Sequence, residues 1–480
     1  MSNKNLLVIL VIAVVVIIAV IAGLSLHKHP ITTTSSPTTT TAVSTEGVEL
    51  TILTRHPGDI LVKAKEEFLK SDIAKEYGIK DVHFIVVPPG LWASTAKAKN
   101  VDIGWGGGPT LFDTLYLEGL LAPLTSKIAL DAAAQIPDEL AGVPLKRISE
   151  NGSIYWVSAA IASFGFTVNT KLAEQYGLKI PKSWKDLASL DLAKVLVKTL
   201  EPPLGIADPT TSTSNTRMYE IILQAYGWDE GWRILTLMAA NSHIYGGSGD
   251  VRDAVIRGER IVGITIDFYG YTAHLQNPAC VYISPPGETI VNGDPIALLA
   301  TSKHPREAQA FIAWVLTEGQ KIWLDRNINR LPANPKVFNT PEGKQRKDLK
   351  EAYMQAQKMT TMKFNDTLAL SYEFMMQQYF KATLVDQHER LQSAWIALVK
   401  AYLDGKISKE KFEELKKKLT DPVEFVNPLT GQKVKWTQDV AIELNEAFLS
   451  GKTGILDQLM KEWRDAAAAK YDEVLKALGG

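Results

Sequence analysis

Cysteine is nearly absent. The one thiol in 480 residues, Cys280, excludes an internal disulfide and a cysteine-based metal cluster. Its setting in the apolar run "CVYISPP" reads as a buried structural thiol. Net charge is also missing. Lysine and arginine number 52 against 53 aspartates and glutamates, so the formal charge of -1 offers no global attraction to nucleic acid or to an acidic surface. Any charged ligand must be recognised locally, and no nucleic-acid partner is expected. The eight histidines are scattered, with no H-E-x-x-H pair, and no G-x-S-x-G elbow occurs. Neither zinc-dependent nor nucleophilic hydrolysis has a local signature, so an enzyme is not expected and no cofactor is implied.

Two short motifs are turns. "SGKTG" near Gly451 lacks the upstream glycine of a phosphate-binding loop. "YLDGKISKEKFEEL" places lysine at Lys411, where a calcium loop requires glutamate, and reads as a helix–helix turn.

What is present begins with an uncharged apolar run, Leu6 to Leu26. About 20 residues suffice for a helix to cross the hydrocarbon layer. No clear small-residue cleavage site follows, which favours a retained anchor over a cleaved signal. The Thr/Ser/Pro tract Ile31 to Gly47 has almost nothing to bury and reads as a stalk. The expected localisation is therefore the cell membrane, with a single-pass N-terminal anchor and the folded body outside.

The body alternates strands and helices. "VELTILTRHPGD" is a strand broken at Pro57-Gly58, followed by a helix from about Leu61 to Tyr77. "DVHFIVVPPG" and "VDIGWGGGP" are strands, and "TLFDTLYLEGL" is a helix whose first turn suits Pro109. After the extended stretch "SIYWVSAAIASFGFTVNT" a second α/β set begins, with "IVGITIDFYGY" read as a strand. A further extended run, "CVYISPPGETIVNGDPIALLA", leads to the helix "PREAQAFIAWVLT". The fold class expected is α/β, two lobes joined by a hinge with a cleft between them, and a helix-rich C-terminal extension. The divisions are 1–28 anchor, 29–47 stalk, 48–158 first lobe, 159–285 second lobe, 286–338 return to the first lobe and 339–480 C-terminal region.

Three helix openings are rich in small residues: Gly106, Gly107, Gly108 with Thr110; Thr211, Ser212, Thr213 and Ser214; and Gly247, Ser248 and Gly249. Free amides and the positive end of a helix dipole favour an anionic or strongly polar group there. Arg55 is a candidate bidentate partner for such a group. Asp267 is either an amine acceptor or a structural carboxylate at the hinge. Trp92, Trp105 and Tyr155 are either an apolar wall or core.

In order and spacing, "VDIGWGGGPTLFDTLYLEGLLAPL", "ADPTTSTSNTRMYEIILQAYG", "IYGGSGDVRDAVIRGERIVGIT" and "NGDPIALLATSKHPREAQAFIAWVLTEGQKIWL" resemble an extracellular solute-binding protein of an ABC importer. The resemblance covers Val48 to Arg330, is to the type II periplasmic-binding-protein fold, and is closest to the ferric-ion-binding and related branch. It implies a small-molecule solute that bridges the lobes, a permease in the membrane as partner, and a monomer. In the ferric branch a histidine, a glutamate and two adjacent tyrosines hold the metal. His56 in "TRHPG" matches the histidine, but a glycine of Gly106 to Gly108 stands at the glutamate position, and Phe268 replaces the first tyrosine, leaving Tyr269. Too few hard oxygen ligands remain for ferric ion. An organic phosphate, phosphonate, carboxylate or zwitterion suits the cleft better. The competing readings are a ferric-ion carrier, an anchored hydrolase and a sensing ectodomain. The threonine stalk, with no lipid-accepting cysteine near the N-terminus, resembles an archaeal-type anchor.

Overall fold

The computed structural model describes residues 47–87 and 89–479. The apolar run Leu6 to Leu26 and nearly all of the threonine stalk lie outside them, and among the described residues no helix is long and apolar enough to cross a membrane.

In the first lobe the strand Val48–Thr54 pairs in parallel with Ile79–Val86 on one side and Ile103–Trp105 on the other. Val291–Leu299 runs antiparallel beside Ile103–Trp105. In the second lobe Leu204–Ala207 lies between Ser242–Tyr245 and Val262–Ile266, all parallel. One strand of 16 residues, Ile154–Asn169, belongs to both lobes. Its first half pairs with Val291–Leu299 and its second half with Val262–Ile266. A strand buried on both faces must be apolar throughout, which explains the nearly unbroken run "IYWVSAAIASFGFTVN".

Three local expectations need refinement. The helix after Pro57 is two helices, Gly58–Lys70 and Asp72–Glu76, because Ser71 leaves helical geometry and caps the second through Ala74 N–H. The run from Asn215 to about Ala239, which the sequence reads as a helix or two, is two, Thr213–Tyr226 and Trp228–Ala240, separated by Gly227 at φ +77°. The strand read through "IDFYGY" is corrected: the strand ends at Ile266, and Asp267–Gln276 is a helix. Asp267 accepts the Phe268 N–H within the first helical turn. Gly270 lets this helix lie directly on Tyr282, since a Cβ there would stand 2.5 Å from the ring.

The C-terminal region divides between the lobes. Leu349, Tyr353 and Ala356 join the first-lobe core. From Ala369 onward the buried residues join the second-lobe core, where Tyr379 stacks on Trp436 at 4.3 Å and Trp463 packs edge-on against both. The segment between them crosses the hinge: Gly287 N–H donates to Thr360 O at 2.8 Å and Met362 N–H to Thr289 O at 2.9 Å. The lobes are therefore joined by a third crossing besides the two extended runs.

Candidate functional site

Site residues fall where parallel strands end and helices begin, the edge at which open α/β sheets present ligands. In the first lobe, Arg55 and His56 follow the strand Val48–Thr54, and the glycine run follows Ile103–Trp105. Gly106, Gly107 and Gly108 have φ of +81°, +118° and +87°, a left-handed run that only glycine tolerates without strain. The run is pinned from below. Gly106 N–H donates to Pro295 O and Gly107 N–H to Asp294 Oδ1, both at 2.7 Å. Asp294 Oδ2 pairs with Arg330 Nη2 at 2.8 Å, and Arg330 Nη1 donates to His56 Nδ1 at 3.1 Å. Burial alone would raise the Asp294 carboxyl, but Arg330, His56 and the Gly107 N–H overcome it and hold the group below its ordinary value.

His56 serves this knot rather than the cleft. A guanidinium only donates, so Nδ1 is the acceptor and the proton sits on Nε2. Burial lowers the imidazole to about 4, Asp294 opposing and Arg330 reinforcing the shift. The ring is 4 % exposed, edge-on to Trp105 with centroids 4.6 Å apart. A Cβ on Gly106 would stand 2.8 Å from Nε2, so a glutamate there would collide with the histidine it would have to join as a ligand. This corrects the expectation of His56 as a cleft ligand. Trp92 and Trp105 are fully buried core residues.

Above the knot, Arg55 is partly buried. Burial lowers its pKa, while the carboxylates of Glu373 and Asp294 oppose that through space, with no hydrogen bond to either. Gly108 opens the helix Pro109–Leu117, which has no side-chain cap, and the buried Thr110 hydroxyl has no partner.

In the second lobe the hydroxyls join two helix starts. Ser212 caps Thr213–Tyr226 by accepting the Asn215 N–H. Ser248 Oγ lies 2.5 Å from Ser212 Oγ, 2.6 Å from Ser214 Oγ and 2.9 Å from Asn215 Nδ2. Thr211 Oγ1 donates to Gly246 O at 2.7 Å. Gly247 occupies the cap position of Ser248–Ile256, Gly249 lies in its first turn, and Thr213 is exposed outside the cluster. One cap would suffice for one helix. The surplus hydroxyls hold a second helix start against the first.

Asp267 and Tyr269 stand apart from these groups. Asp267 is fully buried, accepting the Ser163 N–H and the Phe268 N–H at 2.8 Å each, which fastens the long crossing strand to the helix after Ile266. It is the hinge carboxylate of the two alternatives, not a cleft-facing amine acceptor. Burial pushes it up to about 7 against the pull of those hydrogen bonds and of Arg330. Tyr269 lies under the Arg252 guanidinium at 4.9 Å.

Sequence reasoning missed Asp294 and Arg330, and took Asn215 only as the end of the hydroxyl-rich helix opening. Asp294 had a signal, a lone carboxylate in the apolar strand "VNGDPIALL". Arg330 had none, because its partners lie far away in the chain.

Among the described residues no group of three His, Cys, Asp or Glu side chains is placed to hold a metal ion.

The model of the bacterial extracellular solute-binding protein family matches residues 91–352. Over 306 residues, 63 % of this chain and 69 % of the relative, the sequence is 27 % identical to the phosphoglycerate transport regulatory protein PgtC of Salmonella typhimurium. Two similar solved structures are iron-bound HitA from Pseudomonas aeruginosa, at 20 % identity over 65 % of this chain and 98 % of that one with a TM-score of 0.48, and AfuA from Actinobacillus pleuropneumoniae with fructose-6-phosphate bound, at 19 %, 65 %, 98 % and 0.47. With the family model matching more than half of its length, this chain belongs to the bacterial extracellular solute-binding proteins.

Proposed function

We propose that the protein captures a small anionic solute, a phosphorylated organic acid before other classes, between its two lobes and passes it unchanged to an ABC permease. The observation that carries this reading is the supply of donors at strand ends. Arg55 stands over the glycine run beside an uncapped helix start in one lobe, and two helix starts converge at Ser212 and Ser248 in the other. Such amides and an arginine fork suit a phosphate or carboxylate. The relative named for phosphoglycerate transport makes a three-carbon phosphorylated acid the first candidate. The apolar run Leu6 to Leu26 would hold the body at the outer face of the membrane, in the manner of an archaeal-type anchor, and the body would act as a monomer.

The test is a thermal-shift series on the full-length protein in detergent, with 3-phosphoglycerate, inorganic phosphate, fructose 6-phosphate, spermidine and ferric ion. A ligand at a hundredfold excess over its Kd stabilises by roughly 2.7 kcal/mol, so an upward shift is expected with 3-phosphoglycerate. A shift with ferric ion or spermidine alone would replace the anion reading. Hydrolysis of the added phosphate ester would replace transport by catalysis.

A further inference from the structure

Four residues other than glycine have positive φ among the described residues, Asn100, Ala141, Leu200 and Asn329, and only Asn329, at φ +53°, is buried. Asparagine accepts the left-handed region more readily than most side chains, and such backbone persists in a core only where its surroundings hold it. Here they hold it on both sides. Asn329 N–H donates to Asp325 O at 2.8 Å, and the short strand that follows, Leu331–Pro332, pairs with Ile161 and Ala160 in the middle of the crossing strand.

The turn sends two consecutive side chains to different places. Arg330 enters the first-lobe knot, where it holds Asp294 and, through Asp294, the Gly107 N–H. Asn329 reaches the hinge. A guanidinium only donates, so the amide oxygen of Asn329 faces Arg346, whose Nη2 lies 2.5 Å away, and its Nδ2 donates to Thr272 Oγ1 at 2.9 Å. The Thr272 hydroxyl donates in turn to Phe268 O at 2.8 Å. Arg346 is itself fixed by Asp348, at 2.8 Å, and by Leu324 O.

Thr272 belongs to the helix Asp267–Gln276, whose Phe268 and Tyr269 pack on the second-lobe core and whose Tyr271 packs on the first. From Tyr269 the contacts continue outward. Arg252, over the Tyr269 ring at 4.9 Å, lies one turn into the helix that begins at Ser248. One line of contacts therefore runs from Gly107 through Asp294, Arg330, Asn329 and Thr272 to the helix start at Ser248. The four residues between the two donor sets are all buried.

We propose that Asn329 is a positioning residue for solute capture, fixing the lobe arrangement in which the first-lobe and second-lobe donors face one another. Loosening it admits arrangements in which only one set reaches the solute, and apparent affinity falls with the fraction of molecules that remain competent to bind. The role in capture rests on the interlobe anion reading above, whereas the role in lobe registry does not.

The experiment uses the full-length protein in detergent with spin labels at two exposed positions, Lys99→Cys in the first lobe and Lys198→Cys in the second; the native Cys280 is buried and stays unlabelled. The interlobe distance is read without solute, and affinity by calorimetric titration with 3-phosphoglycerate. Thr272→Val, which keeps the shape and removes the hydroxyl, should broaden the distance distribution and weaken 3-phosphoglycerate by about 5-fold or more, the low end of an ordinary coupling between sites. Thr272→Ser, which keeps the hydroxyl, should match wild type in both. If Thr272→Val does not fold, Asn329→Gly, which keeps the left-handed backbone, carries the same comparison. A lower denaturation midpoint with unchanged distances would be a structural role alone and overturns the proposal. A broadened distribution with unchanged affinity overturns the role in capture. Failure of wild type to bind 3-phosphoglycerate overturns the anion reading, while the distance comparison, made without solute, still decides the registry.

Discussion

The two lobes hold their helix openings by different chemistry. In the first lobe a buried ion pair does it: Arg330 and Asp294, 2.8 Å apart, brace the glycine run through Gly107 and fix the His56 tautomer. In the second lobe neutral groups do it: Ser212, Ser214, Ser248 and Asn215 share one hydrogen-bonded cluster. The first arrangement has few members, each indispensable. Removing one partner strands a charge in a low-dielectric interior. The second is redundant, since a lost hydroxyl leaves neighbours that still reach one another. The contrast predicts unequal sensitivity to mutation and to pH.

The largest effect should come from Arg330→Met. The guanidinium is 5 % exposed and lies 5.2 Å over the Phe268 ring and 5.3 Å over Trp323, so methionine keeps apolar contact while removing every donor. Asp294 would keep only the Gly107 N–H, and His56 Nδ1 would have no donor. Breaking a buried pair from one side costs about 3–5 kcal/mol, to be read from chemical denaturation. Adding Asp294→Asn removes the stranded charge and should recover part of the loss, so the double variant should cost less than the sum of the singles. Strict additivity would mean that the two residues are not one unit.

The next effect concerns pH, where the hinge and the first-lobe knot pull in opposite directions. Burial holds Asp267 protonated up to about 7, from an ordinary 3.8, so the folded state binds more protons than the unfolded one in that window. Stability from this group is full at low pH and declines as pH rises towards 7. Burial lowers His56 to about 4 from 6.5, so the unfolded state binds more protons there, and stability from that group grows as pH rises through the same range. The two largely cancel between pH 4 and 6.5. Asp267→Asn removes one side of the balance. Relative to wild type, the variant should gain about 2–3 kcal/mol between pH 5 and pH 8, at one pKa unit per 1.4 kcal/mol. Its absolute stability also reflects a lost acceptor, because an amide cannot take both the Ser163 and the Phe268 N–H. Only the change with pH isolates the ionisation, and a difference that stays flat would place Asp267 near its ordinary value.

The same contrast explains what could be read from sequence. Gly106 to Gly108 and the serine-threonine run were visible because left-handed backbone and helix capping select residue types locally. The lone Asp294 hinted at a partner without naming it. The ion-pair knot was invisible because its contacts join Gly107 to Asp294 across 187 positions and His56 to Arg330 across 274. The helix Asp267–Gln276 was misread because "IDFYGY" has strand-favouring residues, and packing on Tyr282 overrides that preference. In the C-terminal region the three-and-four spacing revealed amphipathic helices but not their partner, which is the second-lobe core rather than a bundle of their own.

The smallest effect should come from Ser248→Ala, and its smallness is the informative part. Ser248 is 8 % exposed and its hydroxyl meets three groups, so a count of contacts alone would make it the centre of the second-lobe cluster. Yet Asn215 Nδ2 also reaches Ser212 Oγ at 3.2 Å, and Ser214 Oγ stands 3.5 Å from Ser212 Oγ. With the hub removed, each partner retains another within reach, and both helix starts keep their backbone geometry. The expected loss is about 1 kcal/mol, the net worth of an ordinary neutral hydrogen bond. It should not depend on pH, because no member of the cluster titrates in the working range. A denaturation loss as large as that of Arg330→Met would show that the hydroxyl cluster is as cooperative as the ion pair, and the distinction between the two lobes would then fail.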